Sequence, residues 1–259
     1  MDTVTLQPKL SRLKLSGILE TLENRLKQAA ADKWSYSQFL DFLLSDEVER
    51  RDHKQLVRRL AKSGLDPEKT LESFDFTFNP KIHEPTMREF GQCHFVEKNE
   101  NLLLLGPSGV GKSHLAQAFG NEAVRRGYDV LCRRTSTLFG WIAAGEGDGS
   151  RERRLKTAFS VPLLILDDFG MKPLDEGQQS DLYELICERY EKAPTILTSN
   201  RDFNEWPMIF QNPLMGSAAM DRLVHRAAKI LIDGKSYRVD AFIKRSRKST
   251  DEKTPQKRS

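Results

Sequence analysis

Cysteine is scarce in this 259-residue chain: the three present, Cys93, Cys132 and Cys187, are odd in number, far apart and include no Cys-x-x-Cys pair. That pattern argues against a disulfide framework or a thiolate zinc site and leads us to expect reduced thiols and a cytoplasmic protein. Long apolar runs are missing too. No stretch nears the roughly 18 residues a spanning helix needs, so no membrane partner is expected. The N-terminus has neither a basic-then-apolar pattern nor a small-residue cleavage site, so export is not expected. The histidines give no metal set, since His83 and His94 are not at helical ligand spacing and His114 belongs to a helix pattern. Trp34, Trp141 and Trp206 read as packing residues.

Charge, by contrast, is plentiful and unevenly placed. Residues 241–259 hold seven Lys/Arg against two Asp/Glu, which leaves 34 basic and 35 acidic residues before them. The body is nearly neutral and the end is basic. Residues 244–259 lack large apolar side chains and read as a disordered basic tail, with two roles open: a nucleic-acid contact, or a solvated end that aids solubility.

Residues 1–66 read as a small all-helical domain. Leu10, Leu13, Ile18, Leu22 and Leu26 recur near helical spacing and predict one amphipathic helix of about five turns. Ser35 and Gln38 fit a capping box ahead of a second helix, which carries Phe39, Leu40, Leu43, Leu44 and Val48 and continues through Leu60 to a stop at Gly64. This region holds no catalytic constellation, and its role is contact with the rest of the chain, a protein partner or DNA. Residues 67–100 read as a linker and lead-in. Over 101–243 the texture changes to five short apolar runs, Leu102–Leu105, Val130–Cys132, Leu163–Leu166, Thr195–Leu197 and Lys229–Ile232, alternating with helical stretches. That alternation predicts an α/β core around a five-stranded parallel sheet.

The sharpest motif is Gly106-Pro107-Ser108-Gly109-Val110-Gly111-Lys112-Ser113, a full G-x-x-x-x-G-K-[ST] between an apolar run and a helical pattern that opens with His114. Glycines let backbone N–H groups turn inward around phosphates, and the helix N-terminus adds its partial positive charge. Lys112 is expected to reach the β- and γ-phosphates of ATP, and Ser113 to offer a hydroxyl to Mg²⁺. A second apolar run ends in Asp167-Asp168 at the carboxyl edge of the sheet, where ligands of open α/β sheets bind. Asp167 is placed to hold Mg²⁺, and Asp168 to orient and deprotonate the attacking water. A third run ends at Asn200, whose amide can bridge water and γ-phosphate.

Taken together, GPSGVGKS, LLILDDFG, ERYEKAPTILTSNR and the segment Met220-Asp221-Arg222-Leu223-Val224-His225 resemble the AAA+ ATPases of the helicase-loader type, and most closely the IstB-type transposition helper proteins of bacterial insertion sequences. The resemblance runs from the N-terminal helices to about Asp240. It implies an AAA+ P-loop core, an ATP-dependent homo-oligomer on duplex DNA, and a cognate transposase as partner. It also implies that Arg222 is the arginine finger that enters the next subunit's site, with Arg189, Arg201 and Arg226 as competitors. Only 59 residues follow Asn200, too few for the usual full lid domain, so Arg238 is merely a candidate for a second sensor. Phe76 or Phe78 is a candidate to flank the adenine, core packing being the alternative.

For DNA, the candidates are Arg133, Arg134, Arg151, Arg153, Arg154 and Lys156. Residues 125–156 hold eight Arg/Lys against four Asp/Glu, and no groove-reading motif accompanies them, so backbone and shape recognition is the expectation. A solvated helix face is the alternative. Two other functions share the nucleotide chemistry: a replicative helicase loader that prefers single strands, and a monomeric small-molecule P-loop kinase.

Overall fold

Three helices open the chain: α1 (Gln7–Arg12), α2 (Ser16–Asp32) and α3 (Tyr36–Ser63). The computed structural model describes residues 5–251, with side chains through Lys244. It divides into two compact units, the first ending at Arg59 and the second beginning at Leu60, so the division falls inside α3.

In the first unit, Ile18, Leu22 and Leu43 form a small buried core, flanked by Leu10, Leu15, Leu26 and Phe39. The single five-turn helix predicted here is two helices. Lys14 takes a left-handed φ of 57° and ends α1. The new start brings the first amides of α2 to a buried acid on α3: Gly17 N donates to Glu47 Oε2 at 2.6 Å. A Cβ on Gly17 would stand 2.7 Å from the Glu47 Cα, so only glycine lets the backbones approach this closely. Burial pushes the Glu47 carboxyl up, but hydrogen bonds from Arg51, Gly17 and Ile18 outweigh it and hold the group below its ordinary value. Arg25 clasps Asp46 through Nη2 at 2.6 Å and Nε at 2.9 Å. The predicted capping box is present, Gln38 N donating to Ser35 Oγ and Ser35 N to Gln38 Oε1. α3 stops before Gly64, whose φ is +75°.

The second unit starts at Leu60 and includes residues 67–100, the stretch read as a linker and lead-in, which packs into it. Leu71, Ile82, Met87, Cys93, Phe95 and Val96 are buried, as is Leu65 just before them, and α4 (Glu84–Phe90) and α5 (His94–Glu97) form within this stretch. Enough apolar area lies between the polar residues to hold the segment down. Then follow β1 (Leu102–Leu105), α6 (Lys112–Arg125), β2 (Val130–Arg134), α7 (Thr135–Ala143), α8 (Arg151–Ser160), β3 (Leu163–Asp167), α9 (Glu176–Arg189) and β4 (Thr195–Ser199). A 3-10 helix (Phe203–Ile209), α10 (Pro213–Val224), β5 (Ala228–Leu231) and α11 (Tyr237–Asp251) complete the described chain.

All five strands are parallel, in the order β2-β3-β4-β1-β5. β1, β3 and β4 are buried throughout, as strands covered on both faces must be, which explains their continuous apolar runs. The register opposes Arg134 to Asp167 and Leu105 to Ser199. The carboxyl ends of β1 to β4 therefore finish together, and the loops that leave them share one edge.

One expectation about the chain's end is corrected. Disorder was expected from 244, yet α11 continues to Asp251, since no Gly or Pro interrupts it and Lys244 pairs with Asp240 one turn earlier at 2.8 Å. The rest of the expected tail, 252–259, lies outside the described residues. Among the described residues α11 is the one element after β5. No described helix is long and apolar enough to cross a membrane.

Candidate functional site

The loop from β1 to α6 wraps tightly at Gly106 and Gly111. Gly106 has φ +147° and passes so close to β5's exit that a Cβ would overlap the Ile232 carbonyl. Gly111, at φ +105°, faces the Phe74 ring, 2.7 Å from where a Cβ would sit. These contacts fix the loop so that α6 starts at Lys112 with its amides toward the cleft.

Lys112 is buried, and its ammonium has three acceptors: Gly106 O at 2.8 Å, Pro107 O at 2.7 Å and Asn200 Oδ1 at 2.5 Å. Burial lowers its proton affinity, the charges of Asp168 and Asp167 raise it again, and Arg238 adds to the lowering. The ammonium is thus a pre-positioned cation whose carbonyl contacts can be exchanged for phosphate oxygens.

Beside it, Ser113 Oγ donates to Asp167 Oδ1 at 2.7 Å. Asp167 is 8% exposed, and its backbone carbonyl accepts from Thr135 Oγ1 at 3.1 Å. Two hard oxygens at the rim of a phosphate loop suit Mg²⁺, which takes few protein ligands and completes its shell with phosphate oxygens and water. No cluster of three or more His, Cys, Asp or Glu side chains that could hold a metal exists among the described residues. The hydroxyl of Ser113 and the carboxylate of Asp167 are oxygens of the kind such an ion takes.

Asp168 follows in the left-handed region, φ +57°, which turns its carboxylate out of the strand; it is half-exposed and lies 3.8 Å from Arg134 Nε. Asn200 accepts from Lys112 at its Oδ1 and donates through Nδ2 to Met171 Sδ at 3.4 Å. These groups line one cleft of about 760 Å³, with Ser108 to His114 on one side. Phe74, Phe78, Asn79, Tyr237 and Arg238 line it as well. Phe78 meets Tyr237 edge-on at 5.0 Å, whereas Phe76 packs on Phe74 and does not line the cleft. His114 Nε2 lies 2.9 Å from Thr70 O.

Tyr237 N, at the start of α11, donates to Gly109 O at 2.9 Å, and Asn79 Nδ2 donates to Asp233 O at 3.0 Å. Segments before β1 and after β5 thus meet beside the phosphate loop.

The arginines sort differently from the expectation. Arg189 is 3% exposed; its guanidinium donates to Ala158, Phe159, Val161 and Pro194 carbonyls and to Thr195 Oγ1, and burial lowers it to about 9, so it stays charged at neutral pH. So enclosed, it cannot enter another subunit. Arg222 is half-buried, held by Ala218 O on its own helix at 2.8 Å and by the Tyr183 face at 5.7 Å. Arg201 pairs with Glu205, and Arg226 is exposed. Arg133 and Arg134, expected with the DNA cluster, line the nucleotide cleft. Arg151 pairs with Asp181 and Glu146, Arg154 with Asp148, and Lys156 with Glu152, while Arg153 is exposed. Much of the local positive charge is met within the chain. Sequence reasoning missed Thr198, Tyr237 and the pairing of Arg134 with Asp168; a threonine inside an apolar strand was the one available signal.

A family model described as IstB-like ATP binding protein matches residues 8–247. The chain belongs to this family. An insertion-sequence ATP-binding protein of Mycobacterium tuberculosis is 40% identical over 234 residues, covering 90% of this chain and 93% of that protein. The IS21 ATP-binding protein of Pseudomonas aeruginosa is 39% identical, covering 90% and 88%. Among solved structures, AMPPCP-bound DnaA from Aquifex aeolicus is similar with a TM-score of 0.56 at 23% identity, covering 72% of this chain and 57% of that one. DnaI matches with a TM-score of 0.56 at 23% identity, covering 69% and 98%. At that identity the likeness shows a shared fold and nothing finer.

Proposed function

We propose that this member of the IstB-like family binds and hydrolyses ATP with Mg²⁺, assembles with further copies of itself on duplex DNA, and helps the transposase of an insertion sequence to use its target. The observation that carries the hydrolytic reading is the junction at Lys112, whose ammonium reaches both the phosphate loop and Asn200 while its neighbour Ser113 bonds Asp167.

Lys112 exchanges its carbonyl contacts for β- and γ-phosphate oxygens. Asp168 accepts the proton of a water whose oxygen attacks the γ-phosphorus; the bond to the bridging oxygen breaks, and ADP and phosphate form. Asn200 orients that water. Ser113 and Asp167 would hold a magnesium ion, which when bound would neutralise phosphate charge. Arg222 of a neighbouring copy stabilises charge on the departing γ-phosphoryl group, and its own light tethers to Ala218 and Tyr183 leave it able to do so. The insertion-sequence names of the relatives support the transposition part, and the exposed Arg153 with the basic C-terminal stretch supports contact with DNA backbone.

The test is steady-state ATP turnover across protein concentrations, alone, with random-sequence duplex and with single strands. A more-than-linear rise with protein and stimulation by duplex are expected. Preference for single strands would favour a helicase loader, and linear, DNA-indifferent turnover a small-molecule kinase.

A further inference from the structure

Thr198 sits in the middle of the hydrogen bonds that fix the acidic pair, although its side chain is fully buried inside β4. Its hydroxyl donates to Asp167 Oδ1 at 2.5 Å and accepts from Asp168 N at 3.0 Å. Its carbonyl accepts from Phe169 N at 2.8 Å. One residue of the neighbouring strand therefore holds the side chain of the first aspartate, the amide of the second and the amide beyond it.

The arrangement resolves a conflict at Asp167. Its Oδ1 receives two hydroxyls, from Ser113 and Thr198. Ser113 must turn its lone pairs to a cation to act as a ligand, which removes its proton from Asp167. The Thr198 bond points from inside the sheet and has no such competing duty, so it persists in either state. At the same time Asp168 is a non-glycine residue at φ +57°, a conformation that needs support from its surroundings. Two of its supports are the hydrogen bonds into Thr198 from its own amide and from that of Phe169.

We propose that Thr198 is a positioning residue that sets the acidic pair as a unit: it orients Asp167 toward the cation and locks the left-handed turn that presents Asp168 to the attacking water. The assignment rests on the hydrolytic reading above. Outer hydrogen-bond partners of metal ligands commonly change metal affinity or activity ten- to hundredfold when removed.

The test compares Thr198→Val, which keeps shape and loses the hydroxyl, with Thr198→Ser, which keeps the hydroxyl and loses a methyl. Mn²⁺ binding is followed by electron paramagnetic resonance with a non-hydrolysable ATP analogue, beside Mg²⁺-dependent turnover and a thermal melt. The valine variant is expected to melt as a folded protein, to need about ten- to hundredfold more Mn²⁺, and to lose kcat by a similar factor. The serine variant should stay within about threefold of the native chain in both. Native Mn²⁺ affinity and kcat in Thr198→Val would overturn the assignment, as would equal loss in both variants, which would point to packing of the methyl. If the native chain shows no turnover, the hydrolytic reading fails while the Mn²⁺ comparison still decides the role of Thr198.

Discussion

Lys112 Nζ and Asn200 Oδ1 lie 2.5 Å apart, a side-chain bond that adds to the one from Gly106 N to Ser199 O in joining the phosphate loop after β1 to the end of β4. In the proposed mechanism this contact would couple nucleotide binding to water placement. Asn200→Ala should leave the dissociation constant of a fluorescent ATP analogue within several-fold and lower kcat about a hundredfold, the scale of a lost positioned donor. Equal loss of binding and turnover would mean that the contact serves only to hold Lys112.

Asp168→Asn is a clean probe of the proposed base, because asparagine tolerates the same left-handed backbone. ATP binding should persist while turnover falls about a hundred- to ten-thousandfold, the range of general-base catalysis. Gel shifts should show the protein retained on duplex with ATP. Turnover near the native level would assign the water to another residue.

Arg222 and Arg189, two of the four arginines named for the trans role, should separate by stability. Removing Arg189 leaves buried carbonyls without a donor, so Arg189→Met should cost about 3 kcal/mol or more in urea unfolding. Arg222→Ala should cost less than about 1 kcal/mol, the usual scale for a surface change. It should abolish turnover alone and regain part of it when mixed with Lys112→Ala. Absence of recovery at any ratio, with assembly intact, would count against Arg222 as the finger.

Glu47 gives the first unit a defined acid sensitivity. Its proton affinity is lowered in the folded state from an ordinary 4.5, so it contributes stability that is complete above that value and lost as pH falls through the folded one. The urea midpoint of the first unit's transition should drop on moving from about pH 6 to about pH 3.5. Glu47→Gln should lower the midpoint at the higher pH and flatten the dependence. An unchanged slope would place the acid sensitivity elsewhere, Asp46 being the next candidate.

Local chemistry explains what was legible in advance. The loop Gly106–Ser113 and the ends of β3 and β4 are short, contiguous patterns whose meaning depends on their immediate flanks, and the structure brings Lys112, Ser113, Asp167 and Asn200 together. What escaped depended on partners far along the chain. The break at Lys14 answers to Glu47, the roles of Arg133 and Arg134 answer to β3, and the burial of Arg189 answers to the end of α8. Thr198 was visible as a residue but not as a bond, since only strand register shows that its hydroxyl meets both aspartates.

The meeting of Asn79 with Asp233 and of Gly109 with Tyr237 bears on how the protein is made. A ribosome delivers Asn79 and the phosphate loop early and Asp233 and Tyr237 late, so the cleft has one wall missing while β2, β3, β4 and β5 are still being translated. Closing so long a loop also carries an entropic cost that must be met before these contacts form. A nascent chain should therefore hold nucleotide poorly until α11 leaves the exit tunnel, and a message truncated before Tyr237 is expected to yield strands and motif with an open site.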